Sequence, residues 1–196
     1  MSDRIGIVGG TFDPIHNGHL LLARFVSEKM NLNRVLFIPA AAPPHKGHRD
    51  DIAPSSCRWT MVELALAGID DFTASRTELD RPGPSYTVDT LRQLRRDYPD
   101  AEISLIIGSD NTHDLSSWHD PEGILGLCTI VAGTRTIDTN GLSTDSIGAR
   151  VRAIDTPVID ISSTQIRQRV RAGLSVHSMV PDKVANYIHE RRLYAR

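Results

Sequence analysis

Short apolar runs alternate with amphipathic segments along most of the chain. The apolar runs predict buried strands at residues 4–8, 34–38, 72–75, 103–107, 127–131 and 158–161. Apolar positions spaced by three or four predict one helix that begins at Leu20. They predict four more helices, at residues 58–67, 87–98, 164–172 and 182–191. Strands alternating with helices indicate βαβ units. The chain is therefore predicted to form an α/β fold, a doubly wound, mostly parallel sheet with helices on both faces.

Length and composition limit the possible classes of protein. The 196 residues suit one domain, which we expect to span 1–196 with a small C-terminal helical part at about 162–196. A net charge of −2 argues against a general nucleic-acid or membrane surface. Two cysteines are too few for a disulfide framework, and no apolar run reaches the roughly 18 residues of a spanning helix. The sequence begins without a signal peptide, so a cytoplasmic protein is expected.

Polar segments follow four of the predicted strands at the point where each strand ends. They cover residues 9–19, 39–46, 108–110 and 162–167. Because parallel strands end at the same edge of a sheet, we expect these segments to lie close together, and ligands of such sheets bind beyond that edge. The sequence therefore predicts one ligand site built from distant parts of the chain.

The first strand leads into the first helix through Gly9-Gly10-Thr11-Phe12-Asp13-Pro14-Ile15-His16-Asn17-Gly18-His19. The start of a helix offers unpaired N–H groups and a positive dipole end, which suit a phosphate group. Gly18 lets the backbone approach a ligand closely, and two imidazoles can donate hydrogen bonds to phosphoryl oxygens. The alternative is that His16 and His19 only cap and pack the helix. The whole string favours a polyphosphate site.

A second helix start is predicted at Ser162-Ser163-Thr164-Gln165-Ile166-Arg167. Ser162 and Gln165 have the spacing of a capping box. Arg167 falls in the first turn, where its charge opposes the helix dipole unless an anion binds nearby. The alternative is an ordinary capped helix with a solvated arginine.

Three further side chains are candidates, each with a simpler alternative. Lys46, in Pro43-Pro44-His45-Lys46, can neutralise a triphosphate or be a solvated surface lysine. Asp110 can accept ribose hydroxyls or cap a helix. Trp118 can stack on a flat ring or pack in the core.

Other catalytic patterns do not occur in the sequence. It contains no Gly-x-Ser-x-Gly elbow and no Walker A loop, and the two histidines lack partners at zinc spacing. The predicted site is rich in groups that donate to phosphate. It favours transfer of a phosphoryl-type group between two bound substrates by positioning and charge stabilisation.

The two end segments, 9–19 and 161–167, resemble the HxGH nucleotidylyltransferase superfamily. The middle segments are similar to those of the bacterial nicotinate-nucleotide adenylyltransferases: Pro43-Pro44-His45-Lys46, Gly83-Pro84-Ser85-Tyr86-Thr87, Gly108-Ser109-Asp110, Trp118 and the tail 184–194. The likeness runs from about residue 5 to residue 194. It implies a Rossmann-like, doubly wound sheet in a single nucleotidylyltransferase domain.

The resemblance also implies a reaction. ATP and nicotinate mononucleotide would give deamido-NAD and pyrophosphate in NAD biosynthesis, with Mg²⁺ arriving on ATP rather than in a protein carboxylate cage. The implied partners are these two substrates, without nucleic acid or membrane. Assembly with further copies of the chain is left open.

Roles follow for individual residues from the same resemblance. The implied catalytic residues, which offset charge on the phosphates, are His16, His19, Lys46 and Arg167. ATP is expected to contact Gly9, Gly10, Thr11, Phe12, Gly18, Gly108, Asp110, Ile161, Ser163 and Thr164. Nicotinate mononucleotide is expected to contact Asp13, Tyr86, Thr87, Trp118 and His119. No metal-ligating residue is expected.

One departure and three rival functions qualify the resemblance. Many relatives carry Arg-Pro-Gly where this chain reads Val131-Ala132-Gly133-Thr134-Arg135, so Arg135 is left out of the expected site. Related adenylyltransferases act on nicotinamide mononucleotide or on phosphopantetheine. A non-enzymatic nucleotide sensor on the same fold is the third rival, against which the four catalytic candidates argue.

Overall fold

One parallel sheet of six strands runs through the computed structural model. The structure describes residues 2–43, 52–134, 147–157 and 160–195. The strands are β1 Arg4–Gly10, β2 Arg34–Pro39, β3 Phe72–Ala74, β4 Glu102–Gly108, β5 Thr129–Thr134 and β6 Arg152–Asp155. Their order is β3-β2-β1-β4-β5-β6, and every neighbouring pair is parallel. The predicted α/β class with a parallel sheet is confirmed.

Helices follow most of the strands, as the alternating pattern predicts. They are α1 Asn17–Met30, α2 Ser55–Leu66, α3 Thr87–Asp97, α4 Pro121–Leu127, α5 Ser163–Arg171 and α6 Asp182–Glu190. Short 3₁₀ turns cover Ser109–Asn111, Leu115–Ser117 and Gly148–Arg150. The predicted helices agree with α1, α2, α3, α5 and α6 to within a few residues.

The strands bury side chains on both faces of the sheet, because helices cover both sides. Within β2, Val35 and Phe37 belong to one buried cluster, and Leu36 and Ile38 belong to the other. The first cluster also contains apolar residues of α1, α2, α5 and α6. The second contains those of α3 and α4. This alternation explains why the strands read as continuous apolar runs rather than as alternating patterns.

Two elements differ from the pattern-based prediction. A final strand was expected at 158–161, but β6 lies earlier, and residues 160 and 161 are not in a strand. β6 is an edge strand in which only Ile154 is buried, so its sequence lacks an apolar run. Leu127 was expected to begin a strand and instead ends α4, whose two glycines, Gly123 and Gly126, weaken the helical pattern.

The carboxyl ends of the central strands form the edge at which the site was expected. β1 lies between β2 and β4, and the strand order reverses on its two sides. Gly10 is in register with Pro39, and Gly108 is in register with Gly133. The segments after β1, β2 and β4 therefore start from neighbouring points beside the position where strand order reverses, which is where such folds bind ligands.

Candidate active site

The loop from β1 to α1 is buried over most of its length. Gly9, near the end of β1, is exposed, whereas Phe12 is 2% exposed and Ile15 is fully buried. Phe12 adopts a left-handed φ of 50°, which is uncommon for a residue with a side chain. Its ring lies edge-on to the His19 ring, with 5.1 Å between centroids. Burial of Phe12 thus helps hold a loop conformation that its backbone alone would disfavour.

The two histidines lie against each other at the start of α1. His16 is the N-cap residue, and its ring stacks on that of His19 at 3.6 Å between centroids. The backbone N–H of His16 donates to Nδ1 of His19 over 3.2 Å. Since Nδ1 accepts this bond, the proton of the His19 ring lies on Nε2. His19 therefore has a defined donor, Nε2–H, in the first turn of the helix.

Burial keeps His16 neutral. Its side chain is 6% exposed, and desolvation lowers its pKa from 6.5 to about 4. Within the described part of the chain, Nδ1 of His16 is buried and has no hydrogen-bond partner. A neutral imidazole in this place can donate one hydrogen bond but adds no charge.

The burial of His16 predicts a pH dependence of stability. Between pH 4 and 6.5 the unfolded chain binds a proton at this residue that the folded protein does not bind, so the free energy of unfolding falls as pH falls through this window. The expected loss is on the order of 3 kcal/mol. Urea denaturation from pH 7 to 4 should show a steeper fall for the wild type than for His16→Asn, which keeps a good N-cap residue. If the free energy of unfolding fell equally with pH in both proteins, the lowered pKa of His16 would not be its cause.

The start of α5 docks on the same loop. Ser162 and Gln165 form the predicted capping box, with hydrogen bonds of 3.2 and 2.8 Å. The Ser163 hydroxyl donates to the carbonyl oxygen of Pro14 over 2.9 Å. The structure therefore joins the two helix starts that the sequence singled out, although 149 residues separate this pair along the chain.

Arg167 is buried rather than solvated. It is 9% exposed, and Nη1 donates to the carbonyl oxygen of Asp13 over 2.8 Å. Nη2 lies 3.4 Å from Oγ1 of Thr164, which is itself exposed. The alternative of a solvated arginine does not fit this geometry. Ile161, half-buried, precedes the helix.

Asp13 is buried among protein groups. Its side chain is 2% exposed, and Oδ1 accepts hydrogen bonds from the Ala53 N–H and the Tyr194 hydroxyl. Asp13 was expected to contact nicotinate mononucleotide; the structure brings it to the helix starts but turns its carboxylate toward the protein.

Arg58 donates a hydrogen bond that helps hold the β1–α1 loop, and it was not predicted from the sequence. It is 2% exposed and donates to the carbonyl oxygens of Ala53, Thr11 and Ala41. Burial lowers its pKa. The only sequence signal was an arginine three residues before Met61 on an otherwise apolar helix face.

The residues expected to surround the nicotinate ring form a second group. Tyr86 is the N-cap of α3 and Thr87 its first residue. The ring of Tyr86 stacks on that of His119 at 4.3 Å between centroids. Trp118 is half-buried and packs against the second buried cluster. Part of its ring therefore contributes to the core, which was the simpler alternative for this residue. The structure thus brings Tyr86 and His119 together at the start of α3.

A buried polar network holds this second group and was also missed. The Ser85 hydroxyl oxygen accepts from the N–H groups of Ala41 and Ala42, which follow β2. The Thr90 hydroxyl donates to Glu78 over 2.7 Å. Burial raises the pKa of Glu78, and the hydrogen bonds from Thr90 and Ser85 act in the opposite direction. Hydrophobic periodicity in the sequence does not reveal polar contacts between distant segments of the chain.

The remaining expected ATP contacts lie at the sheet edge. Gly10 ends β1 and Gly108 ends β4. Asp110 is exposed in a 3₁₀ turn whose N-cap is Gly108, so it is not the cap that the alternative supposed. Gly18 lies in the first turn of α1. Lys46 and Arg135 lie outside the described residues.

No group of three or more His, Cys, Asp or Glu side chains in the described ranges could hold a metal ion. None of the described helices combines the length and the apolar character that a membrane span requires.

A family model described as cytidylyltransferase-like matches residues 7–169. The chain belongs to the cytidylyltransferase-like family. The expected resemblance to nucleotidylyltransferases is confirmed. This cytidylyltransferase-like chain is 44% identical to a protein of Thermomicrobium roseum named "Probable nicotinate-nucleotide adenylyltransferase", over 97% of the chain and 91% of that protein. It is 46% identical to a Thermus thermophilus protein of the same name, over 97% and 99%.

Solved structures share the fold of this cytidylyltransferase-like chain. The nicotinic acid mononucleotide adenylyltransferase of Plasmodium falciparum complexed with NaAD superposes with a TM-score of 0.79 at 19% identity, covering 98% of this chain and 97% of that one. The same enzyme complexed with APC gives a TM-score of 0.77 at 18% identity, with the same coverage. These structures support the Rossmann-like, doubly wound architecture that the resemblance implied.

Proposed function

We infer that this chain is a nicotinate-nucleotide adenylyltransferase that transfers the adenylyl group of ATP to nicotinate mononucleotide, giving deamido-NAD and pyrophosphate in NAD biosynthesis. One observation carries the inference: over nearly its whole length the chain is 44–46% identical to proteins of that name. The geometry agrees, because two helix starts meet at the loop after β1, at the edge where such sheets bind ligands.

The triphosphate is proposed to lie over these two helix starts. His19 would donate from Nε2–H to the α-phosphate, and the neutral ring of His16 would support it by stacking. Ser163, Thr164 and Arg167 would hold the β- and γ-phosphates with the N–H groups of α5. Gly9 near the end of β1 and Gly18 in the first turn of α1 offer close backbone approach on the two sides of the loop. Lys46 is proposed as a further positive charge on the triphosphate.

The chemistry needs no general base, because the nucleophile is the ionised phosphate of the mononucleotide. One of its oxygens forms a bond to the α-phosphorus of ATP. The bond from that phosphorus to the bridging oxygen breaks, and pyrophosphate leaves with the electron pair. Negative charge grows on the phosphoryl oxygens, and imidazole and guanidinium donors offset it. The substrate supplies the nucleophile and the protein supplies the hydrogen-bond donors, as expected for a site rich in donors.

The mononucleotide is proposed to bind at the start of α3. Its nicotinate carboxylate would accept from N–H groups near Tyr86, Thr87 and His119, where the positive dipole end of α3 favours an anion. Trp118 would frame the ring. Asp13 is proposed to serve this substrate indirectly, since its carboxylate oxygens face protein donors.

The other parts of the site complete the proposal. Asp110 would accept the ribose hydroxyls of adenosine at the end of β4. A divalent cation, Mg²⁺, would arrive on the phosphates of ATP. We further propose that residues 1–196 form a single domain and that the protein is cytoplasmic.

A substrate comparison tests the function. The protein is incubated with ATP and Mg²⁺ together with nicotinate mononucleotide, nicotinamide mononucleotide or phosphopantetheine, and pyrophosphate release gives kcat/KM for each. We expect the highest kcat/KM with nicotinate mononucleotide. Preference for either other acceptor would move the assignment within the family. Pyrophosphate release with none of them, while ATP still binds, would favour the nucleotide sensor.

A further inference from the structure

The end of the chain reaches the loop that leads to the two histidines. The hydroxyl of Tyr194 donates to Oδ1 of Asp13 over 2.7 Å. The two residues are 181 positions apart in the sequence, and Asp13 is 2% exposed. Burial, followed by the Asp13 charge, raises the pKa of Tyr194, so its hydroxyl stays protonated and acts as the donor. The contact thus ties the chain's end to the β1–α1 loop.

Asp13 is the point at which several segments meet. The N–H of Ala53 donates to the same Oδ1 over 3.1 Å. Arg167 of α5 donates to the Asp13 carbonyl oxygen and lies 3.7 Å from Oδ2. The next carbonyl oxygen, that of Pro14, accepts from Ser163. Movement of Asp13 would therefore displace the starts of α1 and α5 relative to each other.

The tail holds a backbone conformation that needs support. Arg192 and Tyr194 have φ angles of 50° and 65°, in the left-handed region that disfavours residues with a Cβ atom. Such conformations persist where the surroundings over-determine them, and they concentrate at functional sites. Here Leu193 supplies support, because its N–H donates to the Ile188 carbonyl oxygen over 3.0 Å and its side chain packs on the core. The Tyr194 hydroxyl is thereby aimed at Asp13.

We propose that Tyr194 is a positioning residue for adenylyl transfer, which acts through Asp13 to fix the helix starts that bear His19 and Arg167. The proposal rests on the proposed function. Tyr194 does not touch the reacting atoms in this role. It sets the relative placement of donors that must act together on one phosphate, and small misplacements of such groups are costly.

Tyr194→Phe tests the proposal, because it removes only the hydroxyl. We expect kcat per folded molecule to fall by about 10- to 100-fold, with KM for ATP and the mononucleotide changed far less. Tyr187→Phe, on α6 and half-buried, is the matched control and should keep wild-type kcat. If the contact only stabilises the fold, Tyr194→Phe lowers the Tm and leaves kcat per folded molecule unchanged. That result would overturn the proposal.

A second variant checks that the effect passes through Asp13. Asp13→Ala removes the carboxylate that accepts from the Tyr194 hydroxyl. If the two residues act as one unit, adding Tyr194→Phe to Asp13→Ala should cause little further loss of kcat, whereas independent residues would give multiplying losses. A wild-type protein inert toward ATP and nicotinate mononucleotide would refute the proposed function instead. An active wild type with additive variants would refute only the positioning role.

Discussion

Replacement of His19 by alanine is expected to lower kcat by about 10²- to 10³-fold without unfolding the protein. The expectation follows from one hydrogen bond. Because Nδ1 of His19 accepts from the His16 N–H, the ring proton lies on Nε2 in the first turn of α1. The Nε2–H group then adds to the N–H groups and positive dipole of the helix start. A donor that strengthens its bond as charge grows on the phosphate acts mainly on kcat.

His19→Gln separates this role from helix capping. Glutamine at the same position can still accept from the His16 N–H, as it does in a capping box, but it lacks the imidazole donor. We expect His19→Gln to melt near the wild-type temperature and still to lose most of its turnover. His189→Ala, at an exposed position of α6, is the surface control. Wild-type kcat in His19→Gln would show that the imidazole ring is not required, since glutamine supplies only the cap and an amide N–H.

The helix starts could be predicted because their signals are local. A strand followed by glycines and two histidines, or Ser162 followed by Gln165, defines a helix N-terminus from a few neighbouring residues, and the structure has both. The edge of the sheet at which they meet follows from the parallel βαβ order. The meeting of the two helix starts was therefore predictable from the sequence, and the role of each residue there stays a prediction.

The supports of the site could not be predicted, because they depend on contacts between distant segments. Arg58 and Glu78 are buried charged residues whose partners lie in other elements. Tyr194 was noted only within a family-like tail, and nothing in its neighbourhood pointed to Asp13. Strand β6 was missed for a related reason: at the edge of the sheet it buries one side chain, so hydrophobicity does not mark it.

Arg167→Lys is the second substitution with a large expected effect. Lysine keeps the positive charge but not the planar fork, and in this structure the fork is in use: Nη1 donates to the Asp13 carbonyl oxygen, and Nη2 lies within 3.4 Å of the Thr164 hydroxyl. We expect kcat/KM for ATP to fall by about 10²-fold or more, because a phosphate donor is lost or misplaced. Steady-state pyrophosphate release at varied ATP measures the loss.

Arg171→Lys is the matched control for this substitution, since Arg171 lies four residues further along α5 and is exposed. It should retain wild-type kcat/KM. Because Arg167→Lys preserves the net charge, a large loss cannot come from the weaker electric field and must come from the geometry of the guanidinium. If Arg167→Lys turned over ATP like the wild type, charge alone would suffice at this position. The junction between α5 and the β1–α1 loop would then tolerate a lysine, and the proposed need for a planar guanidinium at Arg167 would fail.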